Sequence, residues 1–323
     1  MSRKRVRLCV FVLFLAAAVG AQAASVEVRP VRSGFSPGEP DWMLTERRCS
    51  TPEIDAVTRA WLEDLREQLH HEDQILGESA QRTAVIRVPV NFFVVMKPSG
   101  KGEITQAQIN AQVEVMNDFY SKAGFRFVVG QGWLITKNRW YSKCLQTKKS
   151  GKWNPVYKKM TKFVNREIGL DSARSLNVFT CDPQRTTIGQ AFYPWALPEG
   201  DYRDAIVIDY RTLPGGSYQN YNAGLTLVHE AGHYFGELHT FANGCQAPGD
   251  YINDTPYEAS PAYEAVPENN CAKGRNTCPQ KGKDPVWNPM DYSSDYCMTR
   301  FSKGQRKDMK LLVREFRPAL LKN

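Results

Sequence analysis

Histidine is scarce in this chain, with five in 323 residues. Two of them, His70 and His71, lie early, and the other three all fall within "LVHEAGHYFGELH" (227–239). Residues 83–323 therefore hold no histidine outside that one stretch. Long apolar runs are also missing beyond residue 24, which excludes a body built on membrane helices of about 20 apolar residues. No long Lys/Arg run marks a nucleic-acid footprint, and no internal repeat is visible.

What is present begins with "MSRKRVRLCVFVLFLAAAVGAQAAS", a basic start, an apolar stretch from Leu8 to Val19 and small residues at Ala21 and Ala23. That pattern reads as a secretory signal peptide over residues 1–24, and so as a soluble protein that is secreted, or periplasmic in a Gram-negative host. The formal charge of +8 is unevenly placed. Residues 25–82 carry seven basic against twelve acidic side chains, whereas residues 83–323 are net +9. An acidic leader thus precedes a basic body. It is read either as a propeptide, ending near residue 82, that docks partly by charge, or as an ordinary solvated amphipathic helix, "EIDAVTRAWLEDLREQL".

Along the chain, residues 25–50 have the Pro, Gly and Ser content of irregular structure, and a helix is expected at about 53–76. A β-rich segment covers 83–96, and 104–124 has helical spacing, with Ile109, Val113, Met116 and Tyr120 on one face and Gly124 as a stop. "FRFVVGQ", "LNVFTC", "GQAFYP" and "DAIVIDY" read as strands and "NPVYKKMTKFVNREIG" as a helix. From 240 to 300 Gly, Pro, Asn and Asp dominate, and a last helix begins behind Ser302. The expected architecture is α+β: residues 83–239 form an upper subdomain with a twisted mixed sheet, backing helices and an active-site helix. Residues 240–323 form an irregular, disulfide-rich lower subdomain that ends in a helix.

His229 and His233 stand four apart, so one helix face can offer both imidazoles to one metal ion. Glu230 then adjoins the first ligand and can reach water on that ion without binding it. His239 supplies a third ligand if the chain turns back, and Gly236 permits the turn because it tolerates positive φ. Leu225, Val228, Gly232 and Phe235 form an apolar backing stripe. Three neutral imidazoles with one open position are how catalytic zinc is held, whereas a structural zinc would be closed by four protein ligands.

At these residues the chain resembles the metzincin metallopeptidases, whose H-E-x-x-H-x-x-G-x-x-H it matches at every fixed position. "YNAGLTLVHEAGHYFGELHTF", "GDYINDTP", "NPMDYSSDYCMTRFSKGQ" and "GQAFYP" further resemble the pappalysin branch. The resemblance implies a zinc endopeptidase acting on proteins or peptides, as a monomer. His229, His233 and His239 would bind zinc, Glu230 would be the general base, and Met290 would sit in the Met-turn beneath the metal. Tyr292 would stabilise the oxyanion, and "GQAFYP" would rim the cleft and pair with extended substrate. Asp250, Asp254 and Thr255 would bind structural calcium, and Asp295 would line a pocket for basic side chains. The rival reading is a secreted non-catalytic binding or adhesin-type protein, against which the intact Glu230 argues.

Eight cysteines, of which Cys9 would leave with the signal peptide, point to disulfides. Spacing alone permits three connectivities among Cys245, Cys271, Cys278 and Cys297. The resemblance implies Cys245–Cys278, Cys271–Cys297 and Cys144–Cys181. The odd one, Cys49 in "TERRCSTPE", is read either as an incidental free thiol or, as the resemblance implies, as a cysteine switch whose thiolate would fill the open zinc position, with Ser50 standing where some relatives carry Gly. Arg59, Arg66 and Arg82 are the candidate activation cleavage points.

Overall fold

The computed structural model describes residues 27–30, 49–76, 84–148, 152–183, 187–262 and 271–323. The expected signal peptide and Arg82 lie outside the described residues. Among those described, no helix is long and apolar enough to cross a membrane.

The upper half is a six-stranded mixed sheet. Its strands are β1 (Glu27–Pro30), β2 (Ile86–Met96), β3 (Phe125–Thr136), β4 (Leu176–Cys181), β5 (Gly189–Gln190) and β6 (Ile206–Asp209), in the order β1-β3-β2-β4-β6-β5. β2, β3, β4 and β6 run parallel, while β1 and β5 are antiparallel at the two edges. A parallel interior needs both faces covered, and β2 is accordingly apolar on both. Phe92 and Val94 face one core with helices α2 (Gln106–Tyr120) and α5 (Leu225–Tyr234). Phe93 and Val95 face the other with helices α3 (Asn138–Ser142) and α4 (Pro155–Ile168), where Phe93 stacks on Phe179 at 5.0 Å.

Local chemistry sets the helix ends. Thr105 and Gln108 form a capping box on α2, and Gly124, at φ 78°, closes the short turn that follows it. Asn154 caps α4, with Pro155 in its first turn. Ser302 and Gln305 form a second capping box at the start of α6 (Lys303–Phe316). Pro318 follows and the chain finishes in a 3-10 turn.

Four features depart from expectation. β1 arises in a segment expected to be irregular, α3 was not anticipated, and β3 runs on to Thr136 because β1 and β2 both pair with its second half. Only Gly189 and Gln190 of "GQAFYP" are strand. Pro194 has no N–H to offer a ladder, and a turn closes at once from Tyr193 to Ala196.

Between Thr240 and Phe301 the lower half has no helix or strand longer than a turn among the described residues. Two disulfides hold it, Cys245–Cys278 and Cys271–Cys297, while Cys144–Cys181 staples the upper half. Buried Glu258 and Asp284 share Arg275, at 2.7 and 2.5 Å. The leader helix α1 (Ala56–Leu76) packs on the body, with Ile54 and Leu62 buried against Tyr193, Leu238 and Ala242.

Candidate metal centre and cleft

The helix α5 carries His229 and His233 on one face, fully buried. The residue before its first turn, at the N-cap position, is Gly224, which has no capping side chain. Asp295 takes that place from a distant loop, its carboxylate accepting from the amides of Ala223 (2.9 Å) and Leu225 (3.3 Å). This is the position in which the structure finds Asp295, which the resemblance had put in a specificity pocket. The helix ends at Tyr234, and Gly236 turns the chain at φ 104°. A side chain there would strike Leu312 of α6 at 2.3 Å, so the residue needs both the dihedral and the space.

The turn returns His239 to the other two. Nε2 of His233 lies 3.2 Å from Nε2 of His229 and 3.0 Å from that of His239. Metal–nitrogen bonds of about 2.0–2.1 Å in a tetrahedron would separate such atoms by roughly 3.3 Å. Each Nδ1 has its own acceptor: the Pro289 carbonyl for His229 (2.6 Å), the Glu237 carbonyl for His233 (2.8 Å) and the Glu53 carboxylate for His239 (2.9 Å). An Nδ1–H donated in this way fixes the tautomer and leaves every Nε2 lone pair free for a metal. Cys49 Sγ joins them, all four ligand atoms lying within 4.8 Å of one another. The donor set therefore fits a metal that takes nitrogen and sulfur in four-coordination.

Beneath the group, Met290 is fully buried, and a side chain on Gly232 would meet its sulfur at 2.3 Å. Gly232 of the expected backing stripe is thus the point where α5 rests on the Met-turn. Above it, Glu230 is 1% exposed and faces Gly189 of β5. Tyr292 reaches from the far side, its hydroxyl 3.2 Å from His239 Nε2 and donating to the Cys49 carbonyl at 3.3 Å.

The cleft is filled by the leader. Cys49 bridges to Gly189 in parallel, and the Ser50 amide donates to the Gly189 carbonyl at 3.0 Å. Thr51 Oγ1 reaches Glu230 at 3.2 Å and accepts from the Ala191 amide at 3.0 Å. Cys49 Sγ lies 3.5 Å from the same carboxylate. Burial first, and the Glu230 charge second, push the Cys49 thiol well above its ordinary value; a bound cation reverses that balance, because a coordinating thiol loses its proton.

Two sequence expectations need correction. Asp254 does not join Asp250 and Thr255. Those two line a cavity of about 90 Å³ with Gly249, Ile252 and Asn253, whereas the Asp254 carboxylate accepts from Ser302 Oγ (2.6 Å) and the Gly304 amide (2.9 Å) at the start of α6. That helix end offers unpaired N–H groups and a partial positive charge, which a carboxylate satisfies. Arg66 is no cleavage point either: it is 4% exposed within a helix, with Nε donating to Asp308 at 3.0 Å.

Glu53, Gly189 and Asp295 belong to the site, although sequence reasoning gave Glu53 no part in it and knew Gly189 only as the start of the cleft rim. Their signals are distances across more than 40 residues of chain, which a single sequence does not display.

Comparison with known proteins agrees with this geometry. Residues 159–314 match the family described as pregnancy-associated plasma protein-A. Similar proteins include an extracellular metalloprotease of Colletotrichum graminicola, 33% identical over 274 residues, which are 82% of this chain and 90% of that one. Another, from Sordaria macrospora, is 34% identical over 248 residues, 75% and 79% of the two chains. The fold is shared with a promirolysin mutant of Tannerella forsythia (21% identity, TM-score 0.57, 84% and 95% covered). Mature mirolysin from that organism, in complex with a cleaved peptide, is also similar (22%, TM-score 0.54, 72% and 96%). With the histidine cluster, the mixed sheet above it and the Met-turn below, the chain belongs to the pappalysin family of metzincin metallopeptidases.

Proposed function

We propose that the protein is a secreted zinc endopeptidase, made as a zymogen in which Cys49 closes the metal site. The observation that carries this reading is the convergence of three imidazole Nε2 atoms and one leader sulfur on a single point beside Glu230. The extracellular relatives and the signal-peptide pattern of residues 1–24 support secretion.

Zinc held by His229, His233 and His239 would supply a Lewis acid that polarises a peptide carbonyl and acidifies water. Glu230 takes the proton of the attacking water and passes it to the leaving amine. Tyr292, once Cys49 has left, turns its hydroxyl toward the developing oxyanion. Gly189 and Gln190 offer an extended substrate an unpaired sheet edge, the one along which Cys49 now lies in parallel. Asp250 and Thr255, which line the small cavity, are the residues of this chain that would hold calcium through hard oxygen atoms.

Activity of the precursor, the leader-free protein and its Glu230→Ala variant on a peptide library, with and without a zinc chelator, tests the reading. Loss of the base should cost roughly 10²–10⁴-fold, and chelation should abolish cleavage. Equal activity in Glu230→Ala would overturn the mechanism. Cys49→Ala should give a precursor that cleaves without processing, and persistent latency would remove Cys49 from its role.

A further inference from the structure

Leader and body differ in charge, with −5 on residues 25–82 and +9 on residues 83–323. Yet the deepest charged contact between them has the opposite polarity. Leu62, Arg66, His70 and Asp73 lie along one stripe of α1. Leu62 is fully buried in the apolar cluster. Arg66, one turn on, places its guanidinium at the C-terminal end of α5, donating to the Gly236 carbonyl (2.9 Å) and to Asp308 (3.0 Å). It also lies 5.0 Å from the centre of the Tyr251 ring. His70 Nε2 approaches the second Asp308 oxygen at 3.4 Å, and Asp73 pairs with Lys307 at 3.1 Å at the rim.

The body side is built for a cation. Asp308 and Glu237 are each 1% exposed. Neither oxygen of Glu237 has a hydrogen-bond partner among the described residues, and burial first, with Asp308 next, holds its carboxyl well above the usual range against the opposing pull of Arg66. The last carbonyls of α5 add the negative end of its dipole. Buried Asp308 and the C-terminal carbonyls of α5 would lose their counter-charge if the leader departed, which is costly for a buried pair.

We infer that this socket binds the leader helix as a separate chain through Arg66, so that cutting the connection to the body does not by itself free the cleft. The inference rests on the zymogen reading and adds to it that activation needs two events, scission and then loss or destruction of the bound leader. The overall charge difference speeds encounter, whereas the desolvated Arg66 contact controls release.

The test uses the full-length precursor with a specific protease site inserted between Gly77 and Arg82. After cutting, size-exclusion chromatography follows the leader and a peptide assay follows the cleft. Wild-type leader should co-elute with the body at micromolar concentration and keep it silent. Arg66→Met, which retains an apolar stem, should raise the leader's dissociation constant at least about thirtyfold, so that the leader separates and activity appears. Should that precursor not fold, Arg66→Lys is read in its place. It keeps the charge without the forked donors and should weaken binding several-fold. Wild-type leader that separates on cutting overturns the inference, as does a leader held equally well by every variant. An uncut wild-type precursor that is already active overturns the zymogen reading instead.

Discussion

Gly189 shows how much of the cleft depends on a missing side chain. A Cβ there would meet Glu230 Oε1 at 2.2 Å and its carboxyl carbon at 2.7 Å. The flexible end of Glu230 can yield, so Gly189→Ala should leave the melting temperature nearly unchanged. Displacing a reacting group by about 1 Å costs on the order of a hundredfold in rate, and kcat on a good peptide should fall by about that much. A variant with wild-type kcat would show that Glu230 does not work from this position. Under the proposed function Glu53 would act on the metal from the leader, since it is the acceptor for His239 Nδ1. Such partners contribute roughly 10–100-fold in metal affinity. Glu53→Ala should therefore lose zinc to a competing chelator by that factor in the precursor, while the leader-free body shows no difference. His229, Glu230 and His233 were legible because helical spacing places them together, and His239 because Gly236 offers the turn that brings it back. The contact of Gly189 with Glu230 and that of Glu53 with His239 were not, because the partners lie 41 and 186 residues apart and only the closed fold joins them.

Elements differ in how openly the sequence declares them. α2 and α6 carry their own caps and apolar stripes, so residues within them fix where they start and stop. α5 does not: its cap is Asp295, 70 residues on, so its N-terminus was invisible without the lower half in place. β5 was overextended because "GQAFYP" has strand composition, whereas the chain leaves the ladder after Gln190 and enters a turn from Tyr193 to Ala196. The lower half gave no periodicity because cross-links and buried charges hold it. Glu258 is the sharpest case. Burial first, and Asp291 next, raise its carboxyl from 4.5 to about 9, despite Arg275 beside it. A carboxyl held up in the folded state binds more protons there than in the unfolded chain. Its stability contribution is therefore complete below about pH 4.5 and is lost as pH rises through 9. Glu258→Gln keeps an acceptor for Thr240, whose hydroxyl now reaches Glu258 at 2.7 Å. Thermal melts from pH 5 to pH 9 should decline less steeply in this variant than in the wild type, and parallel curves would exclude Glu258 as the cause.

Among the described residues the disulfides stay within the halves, one above and two below. What joins the halves is noncovalent: Met290 under Gly232, Asp295 on the start of α5, and the buried Arg317–Asp204 pair. The two-part plan was visible as a change of texture at His239, but composition could not show which side of the leader helix faces the body, or that its buried contact runs against net charge. The loop after His239 ties these parts together. Asp254 anchors it to α6, while Asp250 and Thr255 turn toward the cavity. Thr255 donates to both Asp250 oxygens, at 2.7 and 2.8 Å, yet burial still raises that carboxyl from 3.8 to about 7. Without a cation, Asp250 favours folding fully below about pH 4 and loses that contribution as pH climbs through 7. Calcium at the proposed site would need the carboxylate, so its stabilising effect would grow over the same range. At a hundred times its Kd a ligand adds about 2.7 kcal/mol, which for a body of this size is roughly 5–10 °C. Protein stripped with a calcium-selective chelator and refilled should gain about that much at pH 8 and clearly less at pH 6, and Asp250→Asn should gain little at either. An equal gain at both values, or a full gain in Asp250→Asn, would place the ion elsewhere.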